Sequence, residues 1–119
     1  MASTPFNIRE AKQSGSIATP DNVYSQVSNR SVSRTGNIVT IHFVANIASG
    51  KTIAGSNGLI ATLPAGFRPS ENMALTIIST YNGTYASYDA ILHSDGTITT
   101  ATGANTFSTG MRIDATLQY

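Results

Sequence analysis

The sequence predicts an all-β protein, an antiparallel β-sandwich of jelly-roll type or a related barrel. Three observations carry this expectation. Several segments alternate apolar and polar residues with a period of two; Gly, Asn and Asp turn signals separate them at short intervals; and no amphipathic helical period is present. At 119 residues the chain has the length of one domain, which buries about 65% of the surface its unfolded form exposes, enough for a single core.

Taken in order, the chain starts with residues that sustain neither period. Phe6, Ile8, Ile17 and Val23 are isolated among Ser, Thr, Asn and Pro, so residues 1–27 are expected to form an extended arm or linker and residues 28–119 the β-domain. A helical turn over Ile8 to Gln13 would be stopped by Gly15 and Pro20. Val27 to Arg34, a turn at Thr35-Gly36-Asn37 and a strand with Val39, Ile41, Phe43, Ala45 and Ile47 on one side read as a hairpin. A Gly-rich loop follows, then Leu59, Ala61 and Leu63 alternate toward the segment Leu63-Pro64-Ala65-Gly66-Phe67-Arg68-Pro69. Pro64 fixes φ, Gly66 can take a positive φ and Pro69 drives Arg68 extended, so this segment should be a rigid corner between strands.

Beyond the corner, Met73, Leu75 and Ile77 open a strand with Ile78 on its other side. Asn82-Gly83 has the positive-φ preference of a tight hairpin turn and joins Met73–Tyr81 to Thr84–Leu92. Asp95-Gly96 marks another turn, before a short strand over Thr97 to Ala101. In the last strand Met111, Ile113, Ala115, Leu117 and Tyr119 face one way and Arg112, Asp114, Thr116 and Gln118 the other.

Composition narrows the function classes. Only 11% of residues are charged and the net charge is +1, while Ser, Thr and Asn make up roughly a third of the chain. Seven basic residues scattered from Arg9 to Arg112 form no electrostatic footprint for a nucleic-acid backbone. No apolar run is long enough for a membrane-spanning helix, and residues 1–15 lack the apolar stretch of a signal peptide. Without cysteine there is neither a disulfide framework nor a thiolate metal site, which makes oligomerisation the expected source of extra stability.

Motifs for catalysis and cofactors do not emerge. Gly50-Lys51-Thr52 lacks the preceding glycine and following helix of a phosphate loop, and neither HExxH nor GxSxG occurs. Ser94, His93 and Asp89 could be written as a triad only by coincidence in so serine-rich a chain, and His93 with Asp95 are too few for a metal site. His42 is expected on an outward polar face, and Asp114 on the surface beside Arg112 or a neighbouring strand. No pair of carboxylates stands out for glycoside hydrolysis, so the chain is read as no enzyme, with no cofactor and no metal. Tyr81, Tyr85 and Tyr88 gather around Asn82-Gly83, followed by Asp89 and His93. Aromatic faces with carboxylate and imidazole groups suit the apolar and hydroxyl sides of a sugar, and these five are the candidate ligand-binding residues. The competing reading places one ring in the core and another in a subunit interface. Arg68 is a candidate partner contact, through a carboxylate or phosphate.

Over Val32 to Tyr119 the order of strands, the Leu-Pro-x-Gly-aromatic-Arg-Pro corner, the Asn82-Gly83 hairpin, the Asp-Gly turn and the alternating terminal strand resemble the C-terminal head domain of bacteriophage tail-fibre and baseplate receptor-binding proteins. The resemblance implies a homotrimeric β-sandwich at the tip of a virion, assembled in the bacterial host cytoplasm, that binds saccharide or teichoic acid of the host cell wall. It also implies that the N-terminal arm joins other virion proteins. The alternatives are a purely structural fibre-tip or decoration protein and, third, a glycan hydrolase acting through a pair such as Asp89 and Asp114.

Overall fold

A computed structural model describes residues 11–81 and 84–119, with the side chains of Thr80, Tyr81, Thr84, Ala104 and Asn105 outside that description. The described chain is all-β and antiparallel: β1 (Gln13–Ser16), β2 (Tyr24–Thr35), β3 (Ile38–Ile47), β4 (Ile53–Thr62), β5 (Met73–Tyr81), β6 (Thr84–Leu92), β7 (Thr97–Phe107) and β8 (Gly110–Gln118). They lie side by side in the order β1-β2-β3-β8-β5-β6-β7-β4.

This order is that of a long hairpin rolled up. Its tip is the β5–β6 hairpin, and its arms pair β4 with β7 and β3 with β8. Rolling brings β8 beside β5 and β6 beside β7, the jelly-roll arrangement. The two edges then meet, because Ala18, just after β1, exchanges backbone hydrogen bonds of 2.9 and 2.8 Å with Thr62 at the end of β4. Closure spares both edges the exposure that invites unwanted strand pairing.

Alternation fills the roll. Val39, Ile41, Phe43, Ala45 and Ile47 of β3 and Met111 and Ile113 of β8 are buried, as the two-residue period predicts, together with Leu75, Ile77, Ala90, Leu92 and Ile98. Tyr24 packs edge-to-face on Phe43, with ring centres 5.7 Å apart, and its hydroxyl donates to the Ile60 carbonyl at 2.8 Å. The hairpin turn at Gly36 (φ 59°), the corner at Gly66 (φ 94°) and the turn at Gly96 (φ 91°) all use the left-handed backbone expected there.

Four expectations are corrected. The Gly-rich stretch before Leu59 is strand rather than loop, because β4 absorbs its extra residues as register shifts between Ala54 and Ala61. Those shifts bury Ile60 and Ala61 in succession and leave Leu59 40% exposed, so Leu59 does not face inward with Ala61 and Leu63. Strand β7 runs to Phe107, six residues beyond Ala101. In the expected arm, Gln13–Ser16 pairs in register with Arg34–Ser31, Ile17 is fully buried, and β2 begins at Tyr24. Residues 1–10 of that arm and the Asn82-Gly83 turn lie outside the described residues.

Candidate functional site

The outward face of β3, β8, β5 and β6 carries most of the chemistry. Alternation sends Thr40, His42, Val44 and Asn46 of β3 outward, with Arg112, Asp114, Thr116 and Gln118 of β8, Ala74, Thr76 and Ile78 of β5, and Tyr85, Ser87 and Asp89 of β6. Register then sorts them into rows. Val44 faces Arg112, Arg112 faces Ile78 and Ile78 faces Ser87. One step along, His42 faces Asp114 and Thr76 faces Asp89, so His42, Asp114, Thr76 and Asp89 cross four strands in one line. Asp114 and Asp89 are two strands apart, about 10 Å at the usual spacing.

Asp114 organises the row. Arg112 Nε donates to its Oδ2 at 2.6 Å, and His42 Nδ1 meets its Oδ1 across the β3–β8 pair. The hydrogen bond from Arg112, then that from His42, holds the Asp114 carboxyl below the usual carboxylate range, and Asp114 in turn pushes the Arg112 guanidinium up. All three side chains are 37–49% exposed, so this is a solvated, ordered triplet rather than a buried ion pair. It suits hydrogen bonding to hydroxyl groups, with Asp114 an ionised acceptor rather than a proton donor.

The seam between β5 and β8 is the opening on this face. Among the described residues only Ile78 and Arg112 are paired across it, whereas β3 and β8 pair over nine residues. A depression of about 260 Å³ near Tyr85, Ile78 and Arg112 lies at one end. Another of about 270 Å³ follows between Thr76, Asp89, Asp114 and Thr116, and a third of about 490 Å³ lies between Pro69–Ala74 and Gln118–Tyr119. Ala74 borders the second and the third.

The structure divides the candidate residues expected to act together. Tyr85 is 71% exposed on the outer face, and Asp89 shares that face. Tyr88 is turned inward, its ring edge-to-face with Phe107 at 5.4 Å and packed on the core. The alternation of β6 imposes this split, because residues 85 and 88 have opposite parity. Tyr81 pairs with Thr84 through its backbone, and its side chain lies outside the described residues. His93 is eight residues from Tyr85, about 26 Å of extended strand, and its Nε2 is 2.8 Å from Thr99 Oγ1.

The paper triad is not assembled either. Ser94 is held by its backbone, which donates to Asn72 Oδ1 at 3.1 Å, while Asp89 points out from the middle of β6. Asp95 accepts from the Thr97 amide and hydroxyl at 3.0 and 2.6 Å; these bonds hold its carboxyl low and make it the anchor of its turn. Arg68 is exposed but donates Nε to the Leu63 carbonyl at 3.0 Å, bracing the corner. Among the described residues no group of three or more His, Asp or Glu could hold a metal ion.

Arg112, Asp114 and His42 were not among the candidate ligand residues. The available signal was the opposite charge at positions 112 and 114, two residues apart and therefore on one strand face. Compared with protein-family models the chain matches none, and no curated protein sequence matches it.

Proposed function

We propose that the chain is a non-enzymatic virion adhesin domain, the trimeric head of a phage fibre or baseplate protein, which binds saccharide or teichoic acid of the host surface. The observation that carries the binding reading is the exposed Tyr85 ring on the same strand face as Arg112, Asp114 and His42. An exposed aromatic ring beside ordered donors and acceptors offers a stacking platform and hydroxyl partners together, the two demands a sugar makes. The phage assignment rests on the sequence resemblance over Val32 to Tyr119. Three shallow sites on one trimer would raise avidity by about 100-fold or more over a single contact.

The test is adsorption of the purified chain to host cell walls, with Tyr85→Ala and Arg112→Ala as variants. Loss of retention in both, with unchanged folding, supports the reading; retention equal to that of the parent protein refutes this face as the site.

A structural fibre-tip or decoration role is the second reading, and one feature favours it. Val44 and Ile78 are half-buried beside Tyr85, a small apolar patch of the kind a neighbouring protomer covers. In that case Tyr85→Ala would weaken assembly, seen in sedimentation, and leave adsorption of the assembled protein unchanged.

A further inference from the structure

The opening between β5 and β8 is long rather than round, and its charge is unbalanced. Arg112 at one end is already engaged by Asp114. Along the rest of the seam the charged side chains are acidic: Asp89 in the central depression and Glu71 in the terminal one. Neither forms an ion pair among the described residues. Between them lie neutral hydrogen-bonding groups, the hydroxyls of Thr76 and Thr116 and the amides of Asn72 and Gln118.

Resting on the glycan-binding reading above, we infer that the seam is an extended subsite for a linear saccharide of neutral or amine-bearing units, and that it discriminates against polyanionic teichoic acid. The length follows from β8. Gly110 to Tyr119 is nine residue steps, about 30 Å at 3.3 Å per residue, room for roughly five pyranose units laid along the strand. The exposed Tyr85 ring borders the first depression, and Tyr119, packed inward on the core, closes the third. The chemistry follows from the acceptors: carboxylates and threonine hydroxyls bond sugar hydroxyl, acetamido or ammonium groups, whereas successive phosphates would be placed against Asp89 and Glu71. Like charges set against each other give specificity by rejection.

The probes are chito-oligosaccharides of one to six units, their partly deacetylated forms, and poly(glycerol phosphate) of matched length, titrated into the full chain at physiological salt with backbone amide shifts as the readout. Affinity is expected to rise by about tenfold or more between one and four or five units and then level off. Shifts should run along β8 from Gly110 to Gln118. The double variant Glu71→Gln, Asp89→Asn should lose the preference for deacetylated over acetylated forms. Affinity independent of length, shifts confined to the Tyr85 end, or poly(glycerol phosphate) binding as tightly as the saccharides would overturn the inference. Retention on host cell walls without binding of these saccharides overturns the extended neutral subsite alone; failure of both overturns the adhesin reading as well.

Discussion

Replacing Tyr85 and Tyr88 one at a time separates the two faces of β6. Tyr88→Ala removes an inward ring packed edge-to-face on Phe107. The aromatic pair alone contributes about 0.5–1.5 kcal/mol, and truncating a fully buried aromatic costs about 3–5 kcal/mol. Tyr88 is partly buried, so a loss of about 2.5 kcal/mol is expected. For 119 residues, at about 2.1 cal/mol/K per residue, the unfolding entropy is about 0.25 kcal/mol/K, and the melting temperature should fall by about 10 °C. Tyr85→Ala removes a ring already 71% exposed; its cost is about 0.5 kcal/mol or less, a fall of about 2 °C. Thermal unfolding followed by far-UV circular dichroism measures both, and adsorption to host cell walls supplies the functional arm. Equal melting-temperature losses, or a Tyr88→Ala protein within about 2 °C of the parent, would refute the assignment of faces. A Tyr85→Ala loss that varies with protein concentration would instead identify Tyr85 as an interface residue, since oligomer stability depends on concentration.

Three further outcomes follow from particular contacts. Arg112→Ala should move the Asp114 midpoint upward toward the ordinary carboxylate range, as read by carboxyl-carbon NMR titration. Because the folded pKa is depressed, the stability this group contributes is present above about pH 4 and lost as pH falls through the folded value; for so exposed a group it is about 1 kcal/mol or less. Tyr24→Phe strips a hydrogen bond from the Ile60 carbonyl and should cost about 1–2 kcal/mol in urea unfolding. Burial pushes the Tyr24 phenol up, so its protonated form belongs to the folded state, and stability should fall as pH rises above about 10, with Tyr24 ionising only on unfolding in ultraviolet titration. Gly58→Ala would set a methyl group 2.2 Å from the Ala54 carbonyl oxygen and should cost about 3 kcal/mol or more, whereas Gly50→Ala, at φ 79° in open space, should cost about 1 kcal/mol.

The legible parts of the fold are those where one strand face is buried without interruption. In β3 and β8 every second residue is apolar, and the buried face of each strand follows from that pattern alone. Strand β4 escaped because its bulges break the period, and the compensation is distant: Thr100 Oγ1 donates to the Ala54 carbonyl at 2.5 Å and accepts from the Gly58 amide at 3.0 Å, 42 residues away. Strand β1 escaped because Gln13-Ser14-Gly15-Ser16 carries no apolar residue; Gly15 is used for closeness, since a Cβ there would come within 2.9 Å of the Phe67 ring. The site was half legible. Tyr85 and Asp89 lie four residues apart on one face and were found together, but His42 and Asp114 are 72 residues apart. Only the pairing of β3 with β8 brings them into contact, and no local pattern encodes that.

The corner at Leu63–Pro69 explains how the outer face of β8 is left free of closure contacts. In the rolled order β6 and β7 separate β4 from β5, so this segment must carry the chain across the end of the roll, where its own carbonyls have no strand partner. Other segments, and the corner's own Arg68, supply them. Arg34 Nη1 donates to Gly66 O at 2.8 Å, Tyr119 Oη to Phe67 O at 2.5 Å and Arg68 Nε to Leu63 O at 3.0 Å, while the Leu63 amide donates to Gly96 O at 2.8 Å. Arg34 also lies over the Tyr119 ring, 5.5 Å from its centre. Strand β2, the β6–β7 turn and the residue after β8 are thereby tied to one rigid connection, and closure is secured at the end of the roll. The outer face of β8 is then released from that task. Met111 and Ile113 hold the core from one side of the strand, while Arg112 and Asp114 on the other side can be exchanged at little cost to the fold, because exposed pairs contribute little to stability.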